Sequence, residues 1–157
     1  MWSGCHRQDN YERVNKRDRL FAPCGLFCGV CPWYRAQRDE KLAKELAERL
    51  GLPVEAARCP GCRAVKGLAP VMGWQVCETY DCATRKGLDF CYQCADFPCP
   101  KLAPCADRAS EIAHNTKIYN LLLIQKKGTK SLVKEMSALR RRYFEGRKVR
   151  PGGEPQL

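Results

Sequence analysis

Cysteine is the residue type whose spacing in this sequence most clearly indicates chemistry. Of the twelve cysteines, eight fall into four pairs with short gaps, and in three of these pairs the gap is two residues. The pairs are Cys28 with Cys31, Cys59 with Cys62, Cys77 with Cys82, and Cys91 with Cys94. A two-residue gap lets both sulfurs of a tight turn face one ion, and a closed tetrahedral site takes four sulfurs. The paired cysteines therefore predict two metal sites.

The division of these ligands follows, as a hypothesis, the order of the chain. The first four paired cysteines would form one site and the last four the other, with Cys24 and Cys99 as extra or alternative ligands. The full set of candidate metal ligands is Cys24, Cys28, Cys31, Cys59, Cys62, Cys77, Cys82, Cys91, Cys94 and Cys99. The two histidines, His6 and His114, lie at no ligand spacing from a central cysteine pair. We therefore expect sites built from sulfur alone.

The identity of the metal stays open, because zinc and iron-sulfur clusters both accept four thiolates. Zinc, about two ions per chain, is favoured by pairs that resemble knuckles closing loops, and Gly61 suits the turn of such a knuckle. The alternative is a pair of 4Fe-4S clusters, favoured by the trio Cys24, Cys28 and Cys31 and by three Cys-Pro dipeptides. Radical S-adenosylmethionine enzymes use the same trio spacing, but 157 residues are too few for their partial barrel. A redox role for an uncommitted thiol is the third hypothesis.

The apolar composition indicates that a core alone would hold this chain weakly. Leu, Ile, Val and Phe together make up 31 of the 157 residues, near the level at which burial stops offsetting conformational entropy. A structural zinc ion can supply on the order of 10 kcal/mol of apparent folding free energy. Bound metal would therefore staple a fold that the apolar residues cannot complete.

Cellular location is predicted from the N-terminal residues and from the lack of long apolar runs. The residues before Phe21 show no apolar run typical of a signal peptide, so we expect a cytoplasmic, reducing setting. In that setting, close cysteine pairs are metal ligands rather than disulfides. The longest aliphatic run, Leu121 to Ile124, is far short of the roughly 20 residues of a membrane span. No membrane partner is expected.

The elements that must position the cysteines are short helices and irregular loops. Residues 39–51 predict a helix with Leu42, Leu46 and Leu50 on one stripe, whereas residues 59–99 are punctuated by Gly, Pro and Cys. Two further helices are predicted to meet near residues 126–131, with Ser131 as a candidate N-cap. The expected fold class is a small α plus irregular metal-stapled fold, with a cysteine-knuckle core, short helices, short hairpins and a C-terminal helical pair. Its expected parts are a flexible arm (1–21), a cysteine-rich domain (22–105), a basic helical extension (106–146) and a disordered tail (147–157).

The basic C-terminal region indicates a partner that carries negative charge. The formal net charge is +11, and eight thiolates on two zinc ions would lower it only to +7. The cations that could grip the phosphates of RNA or DNA are Arg140, Arg141, Arg142, Arg147 and Lys148. No catalytic Ser/His/Asp set, phosphate-binding glycine loop or paired carboxylates can be recognised. The expected function is therefore a binding or adaptor module with a nucleic-acid or protein partner, and the alternative is a subunit of a redox complex that transfers electrons.

The order of the motifs resembles that of the bacterial and archaeal family DUF3795. The likeness begins with a "CGLxCxxCPxY" signature at residues 24–34 and continues through a "CxGC" pair at residues 59–62. It then includes Cys77, Cys82 and a "CxxCxxFPC" element at residues 91–99. The resemblance covers about residues 22–102 and implies a cysteine-rich, zinc-binding module without a known reaction. Cys5 and Cys105 lie outside its pattern.

Overall fold

The computed structural model describes residues 14–68, 75–102 and 116–140 of the chain. Within these ranges the regular elements are all helical. The α-helices are α1 (Pro32–Arg35), α2 (Glu40–Leu50), α3 (Glu78–Arg85), α4 (Lys117–Lys127) and α5 (Thr129–Arg140). Short 3-10 turns occur at Cys28–Val30, Val54–Ala57, Cys91–Gln93 and Pro100–Leu102. The prediction of a small, helix-rich fold with many cysteines is confirmed.

The expected hairpins are not seen in the part of the chain that the structure describes. The β pairing there is an isolated antiparallel bridge between Phe21 and Phe27. The cysteine-rich stretch forms 3-10 turns instead, because closely spaced Gly, Pro and Cys residues leave no run long enough for paired strands. The prediction of short hairpins was therefore wrong for these residues.

Helix α2 begins and ends where the sequence predicts. The carboxylate of Asp39 accepts a hydrogen bond from the backbone N–H of Leu42 at 3.0 Å, and Gly51 ends the helix with a φ of 63°. The buried face differs from the prediction, because Ala43 and Ala47 are buried while Leu50 is 48% exposed. Small residues let this helix lie close to the turn at Val54–Ala57.

The main core lies between the Phe21–Phe27 turn, the segment of the fourth cysteine pair (Cys91 and Cys94) and the C-terminal helices. Its buried members are Phe21, Ala22, Cys24, Phe90, Leu102, Leu121, Leu123, Ile124, Leu132 and Met136. A smaller cluster of buried residues lies around Trp33 and Cys59. Cysteines thus occur within both apolar clusters, so the packing of the core fixes where the sulfurs lie.

Helices α4 and α5 form the predicted C-terminal pair. They meet at Gly128, whose φ of 78° closes α4, and α5 starts at Thr129. Ser131 lies inside α5 rather than at its N-cap, and its hydroxyl donates to the carbonyl of Lys127 at 3.0 Å. The amide of Asn120 donates to the carbonyl of Gly25 at 2.9 Å and so ties α4 to the first cysteine signature.

Among the residues that the structure describes, no helix has both the length and the apolar character of a membrane span.

Candidate metal centres

The first two C-x2-C pairs lie side by side. The Phe21–Phe27 bridge folds the chain back on itself, and the backbone N–H of Cys28 donates to the carbonyl of Leu20 at 2.7 Å. The backbone N–H of Cys59 donates to the carbonyl of Trp33 at 3.0 Å, which holds the second pair against the first. We call Cys28, Cys31, Cys59 and Cys62 the first cysteine set.

A direct hydrogen bond joins the two pairs of the first cysteine set. The backbone N–H of Cys62 donates to the sulfur of Cys28 at 3.3 Å, across 34 positions of the sequence. Gly61, with a φ of 111°, makes the turn that directs this N–H, and a Cβ placed there would lie 3.8 Å from the same sulfur. Backbone N–H groups that point at sulfur favour the thiolate form, which is the form that binds metal.

Burial opposes the charged form of these thiols. Burial, together with the nearby thiols Cys31 and Cys59, raises the pKa of Cys28 to about 12, although the hydrogen bond from Cys62 lowers it. Burial also raises the pKa of Cys31 and of Cys59, against backbone hydrogen bonds that lower both. Four thiolates without a cation would be unfavourable here, because burial and mutual repulsion both oppose their negative charges. A metal cation bound among them would offset both effects.

The second set of cysteines surrounds a cavity of about 320 Å³. The sulfur-bearing residues that line it are Cys82, Cys91, Cys94 and Cys99. We call these four residues the second cysteine set. Cys99 thus lies with Cys82, Cys91 and Cys94 around this cavity, whereas Cys77, which the order of the chain assigns to the second site, is not among the residues that line it.

Three different elements bring the second cysteine set together. Cys82 lies on α3, and the backbone N–H of Cys91 donates to the carbonyl of Pro23 at 2.8 Å. The 3-10 turn at Cys91–Gln93 then leads to Cys94, and Cys99 accepts a hydrogen bond on its carbonyl from the N–H of Leu102 at 2.9 Å. Burial raises the pKa of Cys91 to about 12, and the charges of Cys24 and of the other members of this set add to the shift.

Cys24 and Cys77 lie near the two sets of four without being counted in either. The charges of both add to the effect of burial in raising the pKa of Cys62, and the charge of Cys24 also acts on Cys28 and Cys91. Cys24 is buried in the main core, and burial raises the pKa of its thiol. The backbone N–H of Cys77 donates to the carbonyl of Gly67 at 3.1 Å, which places it beyond the end of the second C-x2-C turn. Cys24 remains an alternative ligand, and Cys77 remains a predicted ligand that does not line the cavity.

One ammonium group contacts a sulfur of the second cysteine set. Lys86 Nζ lies 3.2 Å from the sulfur of Cys94 and 2.6 Å from Oδ2 of Asp96. The ion pair raises the pKa of Lys86 and lowers the pKa of Asp96. Neither residue was among the predicted site residues, although Asp96 occurs within the "CxxCxxFPC" element at residues 91–99.

The chemistry of the donors fits a thiophilic metal, but the ligands are not yet arranged around one ion. In residues 14–68, 75–102 and 116–140, no three Cys, His, Asp or Glu side chains are placed so that they could hold a metal ion together. Among the same residues no cysteine forms a disulfide, so every thiol there is free to act as a ligand. The sulfurs would have to move toward one another on binding, as metal sites that form with their ion do.

The predicted nucleic-acid residues fall at the limit of the structure. Arg140 is the last residue of α5, and Arg141, Arg142, Arg147 and Lys148 lie outside the described residues. The exposed cations that the structure does show in this region are Lys126, Lys127, Lys130 and Lys134. Their clustering on two successive helices was visible in the sequence as a basic stretch.

Comparisons with known proteins bear on the family of the chain and not on its reaction. No curated protein and no solved structure matches the chain. The family model described as "Protein of unknown function (DUF3795)" matches residues 20–104, more than half of the chain and nearly the span over which the motifs show the resemblance. The chain therefore belongs to the DUF3795 family.

Proposed function

We propose that this chain is a metal-binding module with two sites of four thiolates each. The bound metals would fix the shape of a surface through which the chain acts as a binding or adaptor protein. The carrying observation is the hydrogen bond from the N–H of Cys62 to the sulfur of Cys28, which joins two C-x2-C turns from distant parts of the chain. Such an arrangement is typical of paired knuckles that close on one ion. The first cysteine set would supply one site and the second cysteine set the other.

Zinc is the metal that best suits the first cysteine set. Zinc is bound as Zn²⁺ without redox chemistry and accepts four thiolates, and its charge would offset the cost of burying them. The apolar core is small, so about 10 kcal/mol of metal-dependent folding free energy would be a large share of the total stability. Metal would therefore act on this fold chiefly by stabilising it.

The second cysteine set also suits a 4Fe-4S cluster, because its cavity is large. The volume of about 320 Å³ is at the lower end of the roughly 300–1,000 Å³ that is typical of sites for small molecules and cofactors. A single zinc ion needs much less space than this. An iron-sulfur protein that transfers electrons is accordingly the second candidate, with this cavity as its support.

Elemental analysis of anaerobically purified protein, with an absorption spectrum of the same sample, tests the metal proposal. About two zinc ions per chain and a colourless solution are the expected result. Iron with acid-labile sulfide and a brown colour would favour the cluster instead. A protein that folds fully without either metal would contradict the proposal.

The partner that the basic helices suit best is RNA. Residues 116–140 contain six lysine or arginine residues and one acidic residue, Glu135. Lys126, Lys127, Lys130 and Lys134 are exposed, and cations so placed on neighbouring helices can neutralise successive phosphates. Fluorescence anisotropy with a labelled single-stranded RNA should show binding that weakens as salt rises.

Two double charge reversals distinguish RNA binding at α4 and α5 from a general attraction of RNA to a basic protein. Lys126→Glu/Lys130→Glu should lower RNA affinity by about tenfold or more at low salt. The matched control is Lys41→Glu/Lys44→Glu on α2. There Lys41 pairs with Glu45 and Lys44 pairs with Glu40, each at 3.9 Å. Equal losses in the two double variants would contradict a specific RNA surface on α4 and α5.

A further inference from the structure

The Lys86–Asp96 ion pair connects two of the elements that carry the second cysteine set. Lys86 follows the last residue of α3, the helix of Cys82, and Asp96 lies two residues after Cys94. The ammonium contacts the sulfur of Cys94 at 3.2 Å and the carboxylate of Asp96 at 2.6 Å. The two contacts together fix the direction from which the ammonium approaches the sulfur.

A second lysine lines the same cavity without contacting a sulfur. Lys101 Nζ donates to Oε2 of Glu78 at 2.9 Å, and this ion pair joins the start of α3 to the turn at Pro100–Leu102. The side chains of Lys86 and Lys101 are equally exposed, at 43% each. The two lysines therefore differ in one respect that matters here, namely the hydrogen bond to Cys94.

We propose that Lys86, oriented by Asp96, is a positioning residue that holds Cys94 as a metal ligand in the second cysteine set. This inference rests on the proposed function and names the residue that distinguishes the second site from the first. The first cysteine set receives backbone N–H groups, whereas the second receives a charged side chain. The second site should consequently depend on a single replaceable residue.

The physical reason lies in the charge of a tetrathiolate site. Four thiolates around a divalent ion carry a net charge of about −2, and a charge-assisted hydrogen bond to one sulfur offsets part of it. Partners outside the ligand shell fix ligand orientation, and removal of one typically costs about 10–100-fold in metal affinity. Asp96 holds the flexible lysine in place, so that less conformational entropy is lost when the contact forms.

Metal release from the full-length protein tests the proposal. The protein is loaded with zinc under anaerobic conditions, and the rate at which an excess of chelator removes each equivalent is followed. In Lys86→Gln, one equivalent should leave about 10–100-fold faster, while the other keeps the wild-type rate. Lys101→Gln is the control and should change neither rate by more than about threefold, because Lys101 has its hydrogen bond to Glu78 rather than to sulfur.

Two additional measurements separate positioning from a general structural effect. Lys86→Arg keeps a charged donor and should restore most of the slow release. Iodoacetamide labelling followed by peptide mass mapping should show faster alkylation at Cys94 in Lys86→Gln, with Cys59 labelled at the wild-type rate. The unfolding midpoint of Lys86→Gln is also measured with metal bound at the first cysteine set alone. A midpoint equal to that of the wild type in the same state would show that the fold is intact.

Different failures lead to different conclusions. Equal release rates for wild type and Lys86→Gln, or equal acceleration in Lys86→Gln and Lys101→Gln, would overturn the role of Lys86 and leave the metal module standing. A wild-type protein that takes up no zinc and carries no iron would overturn the proposed function itself, and this inference with it.

Discussion

The side chain of Arg63 donates from Nε to the backbone carbonyl of Phe21 at 2.5 Å. Arg63 is fully buried, and it also donates from Nη2 to the carbonyl of Asp89 at 2.5 Å, with its guanidinium 5.4 Å from the ring centre of Phe90. Because Arg63 directly follows Cys62 and the Asp89–Phe90 step directly precedes Cys91, this one side chain links the two cysteine sets through the backbone between them.

Replacement of this arginine should be among the most destabilising changes in the chain. Arg63→Met removes the charged group that donates hydrogen bonds to two backbone carbonyls and leaves those carbonyls without this donor. We expect a loss of about 3 kcal/mol in the free energy of unfolding. Urea denaturation of the metal-loaded protein measures it. Arg85→Met, which removes a surface pair with Asp81, should cost less than about 1 kcal/mol and serves as the control. Similar costs for the two variants would contradict a linking role for Arg63.

Gly25 should tolerate no side chain, for two separate reasons. Its φ is 85°, and a Cβ would lie 2.9 Å from Cγ of Leu121 on α4. Gly51 has a similar φ of 63° but nothing within 4 Å of an added Cβ, so it isolates the cost of the backbone conformation. Gly51→Ala should lose about 1–2 kcal/mol, and Gly25→Ala about 2 kcal/mol more. Thermal unfolding of both variants tests the difference, and equal losses would show that α4 does not pack on the first signature.

The metal-free protein should lose stability as pH rises above about 8.5. Burial raises the pKa of Cys28 and of Cys91 to about 12, whereas a thiol in the unfolded chain titrates near 8.5. Between these values the unfolded state releases protons that the folded state retains, so stability is fully present below pH 8.5 and decreases toward pH 12. Urea unfolding with chelator and reductant at pH 7 and pH 9.5 measures the change. A metal-free protein that is equally stable at both values would contradict burial of these thiols.

Metal should reverse this dependence over the same pH range. Metal binding displaces thiol protons, so higher pH favours the bound state and stabilises the loaded protein relative to the metal-free one. The difference in unfolding midpoint between loaded and metal-free samples should therefore be larger at pH 9.5 than at pH 7. A difference that shrinks with pH would indicate that protonatable thiols are not the ligands.

Local sequence signals predicted the individual helices well. The Asp39 cap and the Gly51 stop mark α2, and Gly128 marks the turn between α4 and α5, because each signal acts within a few residues. The buried stripe of α2 was placed wrongly, because its neighbour accepts the small residues Ala43 and Ala47 rather than leucines. Such a choice depends on what packs against the helix and not on its own periodicity.

Spacing predicts two sets of four cysteines, and the lining of the cavity groups Cys99 rather than Cys77 with Cys82, Cys91 and Cys94. A C-x2-C pair is a local feature, and Cys28–Cys31 and Cys91–Cys94 each close a turn in which the N–H of the second cysteine donates to the carbonyl of the first. Whether Cys77 or Cys99 joins Cys82 depends on how α3 lies against the segment after Cys94, which involves contacts far apart in the sequence. Lys86 and Asp96 were missed for the same reason, since an ion pair ten positions apart has no sequence signature.

The most direct test of two separate metal sites is the metal content of two matched cysteine variants. Cys59→Ser removes a ligand of the first cysteine set and Cys91→Ser removes one of the second. Elemental analysis of anaerobically purified wild type, Cys59→Ser and Cys91→Ser should give about two, one and one metal ions per chain. Loss of both metals in either variant, or of none in both, would contradict the account.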